Sequence, residues 1–208
     1  MIGVLGGTFD PVHFGHLRIA LELYQDLGLQ QVRFIPCARP PHRRAPRAAA
    51  EQRLRMLALA IAGEPAFVLD DREYRRPGPS YMVDTLASLR EEVGSQPLCL
   101  IVGSDAFDSL DSWHQWQRLL ELAHLVVAHR PGWRLCREQG VGRRLGERFE
   151  TRPQALGQAP AGKVLPWAVS QLAISASAIR ALVGAGKSPR YLLPDAVWHY
   201  IKQHNLYG

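Results

Sequence analysis

Short apolar runs alternate along the chain with longer segments that carry leucine and alanine at helical spacing. The apolar runs fall at 2–6, 31–36, 66–70, 98–103 and 124–128. The segments between them fall at 14–27, 50–62, 81–93 and 113–122. Apolar strands that alternate with amphipathic helices are typical of βα units around a parallel sheet. The pattern therefore predicts an α/β fold: a doubly wound, Rossmann-like parallel sheet with helices on both faces.

Two basic stretches interrupt this pattern, and we expect both to be loops. Residues 37–49 are rich in Pro, Arg and Ala, and residues 71–80 form a second basic connection after a predicted strand. The part from 131 to 166 is the least regular. There we expect a short helix at 135–147 and a strand near 163–168.

The end of the chain predicts two short helices, separated by a break at 184–189. Ser175 or Ser177 is the expected N-cap of the first helix, and Pro194-Asp195 is expected to open the second. We therefore expect one domain over 1–208, with an α/β core at 1–170 and a small C-terminal helical part at 171–208.

The composition fits a single domain and indicates the compartment in which the protein works. The chain has 208 residues, of which 47% are hydrophobic and 21% charged, so wholesale disorder is excluded. It has no apolar run of about 18 residues and no signal peptide, so no membrane partner is expected. Its three cysteines are widely spaced and form no CxxC, so neither a disulfide framework nor a zinc cluster is indicated. Reduced thiols fit a cytoplasmic protein.

The charge favours an anionic partner but does not identify which one. The net charge is +6, and 22 of the 25 basic residues are arginine, whose planar fork matches phosphate and carboxylate oxygens. Arginine-rich surfaces are also common where no such partner exists. The arginines are not interleaved with aromatic residues as on a stacking surface, so no nucleic-acid partner is expected.

The stretch GGTFDPVHFGH, residues 6–16, stands where the first strand should turn into a helix. Glycines there let backbone N–H groups approach an anion, at which the helix N-terminus also points. His13 and His16 lie one turn apart, where both imidazoles could donate to phosphate oxygens. A metal site is not indicated, because no third His, Cys or carboxylate stands at a known ligand spacing. Thr8 is not indicated as a nucleophile, because no base neighbours it in the sequence. The stretch favours a phosphate site over a capped helix start with solvent-facing histidines.

Two later stretches carry further candidates. IVGSDAF, residues 101–107, follows the predicted fourth strand, which in this fold commonly lies beside the first. Asp105 could accept hydrogen bonds from a ribose or cap the next helix. In ISASAIR, residues 174–180, a helix start and Arg180 could meet an anion, although a serine-capped helix with an arginine is commonplace.

GGTFDPVHFGH followed by ISASAIR resembles the signature of the HxGH nucleotidyltransferase superfamily, whose motifs are HxGH and, usually, ISSTxxR. Within it, the chain resembles the bacterial nicotinate-nucleotide adenylyltransferases along nearly its whole length. The further stretches that carry this resemblance are IPCARPPHR, DREYRRPGPSYMVDTL, IVGSDAF, SWHQWQRLLELAHLVVAHRPG and LLPDAVWHYI. It implies adenylyl transfer from ATP to nicotinate mononucleotide, giving nicotinate adenine dinucleotide and pyrophosphate.

The resemblance also implies roles for individual residues. His13, His16 and Arg180 would be the catalytic residues and would stabilise the triphosphate. The remaining ATP-binding residues would be Gly6, Gly7, Thr8, Phe9, Asp105, Ser175 and Ser177. Nicotinate mononucleotide would lie at Thr85, Trp113, His114 and Arg130, with its ring near the tryptophan and its carboxylate on amides around Thr85 and His114. The protein would supply no metal ligands, and Mg²⁺ would be held mainly through the ATP phosphates.

Two residues depart from the family pattern, and two other readings stay open. Ser177 stands where threonine is usual, which keeps the hydroxyl, and His114 stands where tyrosine is frequent, which puts ring packing in doubt. The chain could instead be an enzyme like phosphopantetheine adenylyltransferase. It could also be a nucleotide- or RNA-binding module without catalysis. Self-association into a homo-oligomer stays open as well.

Overall fold

A single parallel sheet forms the centre of the molecule in the computed structural model, which describes residues 1–41, 45–130, 132–133, 140–170 and 172–208. In this part of the chain the sheet has six strands in the order β3-β2-β1-β4-β5-β6, with every pairing parallel. The strands are β1 Ile2–Gly7, β2 Gln31–Pro36, β3 Phe67–Leu69, β4 Leu98–Gly103, β5 His124–His129 and β6 Val164–Ala168. The predicted doubly wound sheet is confirmed, including the strand near 163–168.

Nine α-helices connect and flank these strands within the described residues. They are α1 Phe14–Asp26, α2 Ala50–Ile61, α3 Arg72–Arg75, α4 Met82–Val93, α5 Ser104–Asp108, α6 Trp116–Leu122, α7 Gly140–Leu145, α8 Ala176–Gly184 and α9 Asp195–Gln203. Short 3₁₀ turns lie at Leu110–Ser112, Gly146–Arg148 and Pro153–Gln158. The helices predicted at 14–27, 50–62 and 81–93 are confirmed to within one residue at each end.

The strands bury side chains on both faces, which is why their sequences read as continuous apolar runs. In β4, Cys99 and Ile101 belong to the apolar cluster that includes α1, α2, α8 and α9. Leu98, Leu100 and Val102 belong to the cluster that includes α4 and α6. Helices therefore cover both faces of the sheet, as the alternation predicted.

Two local predictions need correction, and one short helix was missed. The connection predicted at 71–80 contains the one-turn helix α3, which polar contacts stabilise: the Arg72 Nε donates to the Asp70 carboxylate at 2.9 Å. The helix predicted at 113–122 begins only at Trp116, because Trp113 is extended and Gln115 is left-handed, with φ 51°. The turn α5 directly after β4 was not predicted. Hydrophobic spacing carries no signal for such short polar turns.

The loop and the irregular region are described only in part. Residues 37–41 and 45–49 contain neither helix nor strand, as predicted for the loop 37–49. Of the helix predicted at 135–147, the first five positions lie outside the described residues, and α7 accounts for Gly140–Leu145. Neither Cys37 nor Cys99 forms a disulfide.

The C-terminal helices end the chain as predicted and pack on the sheet. The Oγ of Ser175 accepts a hydrogen bond from the backbone N–H of Ala178 at 3.2 Å, so Ser175 is the N-cap of α8. Pro194 is the N-cap of α9. Ile179 and Val197 are fully buried in the same apolar cluster as α1 and α2. The last two helices therefore share the core of the sheet.

None of the helices in the described segments is long and apolar enough to cross a membrane.

Candidate active site

The candidate site lies at the carboxyl ends of β1 and β4, which are neighbours in the sheet. In a doubly wound sheet of this order, the winding reverses between these two strands, which leaves a crevice outside their carboxyl ends. The stretch 6–16 follows β1 and the stretch 101–107 includes the end of β4, so both face this crevice. The adjacency of strands one and four was predicted and is confirmed.

The turn after β1 is fixed by a buried arginine that the sequence analysis did not single out. Arg53, only 1% exposed, donates from Nη1 to the carbonyl oxygens of Thr8 at 2.8 Å and Cys37 at 2.6 Å. Its Nη2 reaches the Ala38 carbonyl at 3.2 Å. Because these carbonyls point inward to Arg53, the peptide after Thr8 turns its N–H the other way. Phe9, which carries that N–H, is buried, and its backbone lies in the left-handed region with φ 49°.

Gly6 and Gly7 leave space that neighbouring side chains use. A Cβ on Gly6 would lie 2.3 Å from the Cε of Met82, and one on Gly7 would lie 3.0 Å from the Phe9 ring. Neither glycine has a positive φ. Gly7 therefore has a packing reason to be small, whereas at Gly6 only the flexible end of Met82 would have to move.

The two histidines of the stretch lie against each other at the start of α1. The rings of His13 and His16 stack with centroids 3.8 Å apart and planes at 29°. His13 is the residue before α1 and is 5% exposed, and its Nδ1 has no hydrogen-bond partner among the described residues. The edge of the Phe9 ring packs against His16, at a centroid distance of 5.0 Å. The alternative of solvent-facing histidines is therefore wrong.

Burial keeps both imidazoles neutral in the absence of a ligand. It lowers the pKa of His13 to about 4. It lowers the pKa of His16 to about 3, with a smaller contribution from the neighbouring His13. The backbone N–H of His13 donates to Nδ1 of His16 at 3.3 Å, so the proton of the neutral His16 ring lies on Nε2. His16 can therefore donate one hydrogen bond from Nε2.

Gly15 lies between the two histidines for a steric reason. A Cβ at this position would lie 3.0 Å from both Cε1 and Nδ1 of His13 and 3.7 Å from the carbonyl oxygen of Ile174. Any other residue there would push the His13 ring aside. The same distances place the segment before α8 next to the start of α1.

Arg180, from α8, is held at the same turn through Asp10. Its Nη1 donates to the main-chain oxygen of Asp10 at 2.6 Å and lies 3.9 Å from the Asp10 carboxylate. Its Nε and Nη2 make no hydrogen bond within the described parts of the chain. The Arg180 side chain is 24% exposed, so these donors remain available to an anion.

The start of α8 adds a second helix N-terminus to that of α1. Ser175 and Ser177 are exposed there, with their hydroxyl oxygens 3.4 Å apart. The first N–H groups of a helix have no partner inside it and attract anions. The histidines, Arg180 and the two serines, far apart in sequence, are thus brought to one place.

Asp105 lies in the first turn of α5, immediately after β4. The residue before this helix is Gly103, and no side chain caps it, so the capping alternative for Asp105 is wrong. The Asp105 side chain is exposed on the crevice edge of the sheet. Its carboxylate is available to accept hydrogen bonds.

Thr85 lies inside α4 and is fully buried. Its hydroxyl donates to the Glu73 carboxylate at 2.6 Å, and its backbone N–H donates to the Tyr81 carbonyl at 3.2 Å. Desolvation raises the pKa of Glu73, against the effect of the Thr85 hydroxyl and Arg76. Because the amide of Thr85 is used within the helix, the open N–H groups nearby are those of the preceding first turn of α4.

Trp113 and His114 lie beside that first turn. The His114 ring stacks on Tyr81 with centroids 4.2 Å apart and planes at 29°. Ring packing is therefore present although this residue is a histidine rather than a tyrosine. Trp113 is half-buried against the cluster on the α4 side of the sheet. Arg130 is exposed directly after β5, and its carbonyl accepts from the Trp133 N–H at 3.1 Å.

The described residues contain no group of three or more His, Cys, Asp or Glu side chains that could hold a metal ion. The buried carboxylate at the turn after β1, that of Asp10, already accepts hydrogen bonds from Arg47 N, Ala48 N and the Tyr207 hydroxyl.

Fold and site together define a nucleotide-binding α/β protein of the cytidylyltransferase-like class, and the model of the cytidylyltransferase-like family matches residues 4–182. Proteins of Hahella chejuensis and Methylococcus capsulatus, both named probable nicotinate-nucleotide adenylyltransferase, are each 51% identical to this chain over 209 aligned residues. The alignments cover all of this chain, 95% of the first protein and 100% of the second. The chain belongs to the nicotinate-nucleotide adenylyltransferase family.

Solved structures show the same fold at much lower identity. The nicotinic acid mononucleotide adenylyltransferase of Plasmodium falciparum complexed with NaAD superposes with a TM-score of 0.74 at 17% identity. The match covers 99% of this chain and 96% of that one. The same protein complexed with APC gives a TM-score of 0.71 with the same coverage.

Proposed function

We propose that the chain transfers the adenylyl group of ATP to nicotinate mononucleotide, giving nicotinate adenine dinucleotide and pyrophosphate. The observation that carries the proposal is the convergence of His13, His16 and Arg180 with the N-terminus of α8 outside β1 and β4. Relatives that are 51% identical over the whole chain support the choice of substrates.

The site offers several donors and little negative charge, as a triphosphate requires. His16 donates from Nε2, while Arg180 has Nε and Nη2 available. The start of α8 adds N–H groups with a favourable dipole. At the start of α1, the N–H groups of Phe14 and His16 already donate to the carbonyls of Leu192 and His13. Donors fixed before the substrate arrives stabilise charge that develops on the phosphates without reorganising at the moment of reaction.

No protein nucleophile takes part in the proposed reaction. The 5′-phosphate of nicotinate mononucleotide attacks the α-phosphorus of ATP in line, and the bond to the bridging oxygen of pyrophosphate breaks. Phosphoryl-type transfer depends largely on positioning and charge stabilisation. His13 and His16 act as donors to the triphosphate rather than as an acid–base pair. Asp105 accepts from the ribose hydroxyls of ATP.

The second substrate lies on the α4 side of the crevice in this proposal. The half-buried Trp113 provides a face for the pyridine ring, and the stacked His114 and Tyr81 form the adjoining wall. The nicotinate carboxylate meets N–H groups of the first turn of α4, just ahead of Thr85, and Arg130 reaches the site from the end of β5. A carboxylate at a helix N-terminus is favoured by the helix dipole.

Mg²⁺ enters with ATP in this proposal. The donor-rich site fits an ion held by phosphate oxygens and water, since the described residues bring no cluster of acidic ligands to it. Bound there, the ion would neutralise phosphate charge.

Pyrophosphate release from ATP tests the proposal when three acceptors are compared: nicotinate mononucleotide, nicotinamide mononucleotide and phosphopantetheine. We expect turnover with the first and a much lower kcat/KM with the second. Equal values for the two pyridine nucleotides would defeat the proposed preference. Turnover with phosphopantetheine alone would defeat the substrate assignment, and salt-sensitive RNA binding without pyrophosphate release would favour a binding module.

A further inference from the structure

The penultimate residue of the chain is tied to the turn that holds the candidate site. The hydroxyl of Tyr207 donates to Oδ1 of Asp10 at 2.7 Å, across 197 positions of sequence. The tyrosine is 8% exposed and the aspartate 6%. No motif in the sequence analysis pointed to this pair.

Asp10 links several segments around the site. Its Oδ2 accepts from the backbone N–H of Arg47 at 2.8 Å, and its Oδ1 accepts from that of Ala48 at 3.2 Å. With Tyr207, three donors therefore satisfy the carboxylate. Arg180 donates to the main-chain oxygen of Asp10 at 2.6 Å, and its Nη1 forms only a long ion pair with Oδ2 of the carboxylate, at 3.9 Å.

The backbone around Tyr207 is strained. Tyr207 has φ 69°, in the left-handed region that a tyrosine seldom adopts, whereas Asn205, with φ 50°, is an ordinary helix end after α9. Such conformations persist where the surrounding structure over-determines them, and they often accompany a functional constraint. A Cβ on Gly184, at the end of α8, would lie 3.3 Å from the Tyr207 carbonyl, so the tail packs closely against the helix that carries Arg180.

We propose that Tyr207 is a positioning residue for ATP, because its hydroxyl helps to satisfy the Asp10 carboxylate, which keeps the Arg180 ion pair long and lets Nε and Nη2 of Arg180 meet the triphosphate. Without that hydroxyl, the carboxylate has one donor fewer, and Arg180, which already lies 3.9 Å from Oδ2, closes into a short ion pair. A guanidinium paired with a carboxylate has fewer donors and less charge to offer a phosphate. The role of Arg180 in this inference rests on the proposed function.

The test uses Tyr207→Phe, which keeps the ring and removes only the hydroxyl. Tyr200→Phe is the matched control: it removes a hydroxyl from the same C-terminal segment, where the ring packs on His204 at a centroid distance of 4.2 Å. We expect Tyr207→Phe to weaken ATP binding, measured by calorimetry without the second substrate, by roughly fivefold to twentyfold, the cost of misplacing one charged donor. KM for nicotinate mononucleotide should stay near that of Tyr200→Phe, while the thermal midpoint should fall below it, because the buried Asp10 carboxylate loses a donor.

A double-mutant cycle then separates positioning from general support of the fold. In an Arg180→Ala background, Tyr207→Phe should cause no further loss of ATP affinity. Equal ATP affinity of Tyr207→Phe and Tyr200→Phe would overturn the inference, as would an undiminished effect in the Arg180→Ala background or failure of Tyr207→Phe to fold. A wild-type chain that binds ATP in this Tyr207-dependent way but makes no dinucleotide would overturn the proposed function and leave the inference standing.

Discussion

The rings of His13 and His16 stack at a centroid distance of 3.8 Å while the backbone N–H of His13 donates to Nδ1 of His16. This pairing fixes one ring on the other and assigns the proton of His16 to Nε2. In the proposed reaction, that N–H is a donor placed before the triphosphate arrives.

His16→Ala removes this donor. We expect kcat/KM for ATP to fall by about 10² to 10³, the usual cost of one preorganised donor, with the unfolding midpoint little changed. Steady-state kinetics and a thermal melt measure the two quantities. His199→Ala, at an exposed position of α9, is the control. A His16→Ala enzyme with full activity would contradict the assigned role.

Gly15→Ala should separate stability from activity. Alanine in a helix is favoured over glycine by about 1 kcal/mol, but here its Cβ would lie 3.0 Å from the His13 ring. We expect the ring to shift and KM for ATP to rise at least about tenfold, because small misplacements in a site are costly. Gly63→Ala, where a Cβ meets nothing within 4 Å, is the control. Unchanged kinetics of Gly15→Ala would show that the position of His13 is unimportant.

Stability should fall as the pH drops from 7 to 5. Burial holds the pKa of His13 at about 4 and that of His16 at about 3, below the ordinary value of 6.5. The unfolded chain therefore binds more protons in this window, so protonation favours unfolding. His124, whose pKa burial also lowers, adds to the effect, and Glu73, whose pKa burial raises, opposes it.

The contribution of the two histidines to this pH dependence is measured by comparing wild type with a His13→Gln/His16→Gln double variant. Urea unfolding at pH 7 and pH 5 should show a smaller loss of unfolding free energy in the variant. Equal losses in both proteins would mean that the two rings titrate normally in the folded chain.

Arg53→Met should destabilise the fold. The substitution leaves the buried carbonyls of Thr8, Cys37 and Ala38 without their donor, which we expect to lower the unfolding free energy by at least about 3 kcal/mol. Urea unfolding measures this. Arg55→Met, which changes an exposed position of the same helix, is the control. A similar small effect of both variants would show that Arg53 is not needed to hold the turn.

His114→Ala should affect only the second substrate. Losing the ring that stacks on Tyr81 at 4.2 Å removes one wall of the proposed pyridine site. We expect KM for nicotinate mononucleotide to rise roughly tenfold, the value of a lost ring contact of about 1.4 kcal/mol, while KM for ATP stays unchanged. Gln117→Ala, which removes an exposed side chain of the nearby helix α6, is the control and should leave both KM values unchanged. An equal rise in both KM values would place His114 elsewhere in the mechanism.

The strands and long helices could be predicted from the sequence because they follow apolar periodicity. β2 lies at Gln31–Pro36, where the apolar run lies, and α2 ends one residue before its predicted limit. The histidines, Arg180 and Asp105 could be found because their motifs stand next to predicted strand ends or helix starts.

The residues that support the site could not be found in that way. Arg53 is buried inside a helix whose sequence reads as an ordinary amphipathic segment, and it binds carbonyls 15 to 45 positions away. Asp10 and Tyr207 meet only because the last segment of the chain folds back onto the first turn. Glu73 is buried within a stretch that looks like an exposed basic loop. Such contacts depend on tertiary packing, for which a single sequence carries no local signal.

The measurement that tests the central claim most directly follows the α-phosphorus of ATP. The wild-type chain is given α-³²P-labelled ATP, Mg²⁺ and nicotinate mononucleotide, and the products are separated. The account predicts that the label enters the dinucleotide with one pyrophosphate released for each, and that His16→Ala slows this transfer without changing the products. Label found in free AMP, or dinucleotide formed at the same rate by His16→Ala, would contradict it.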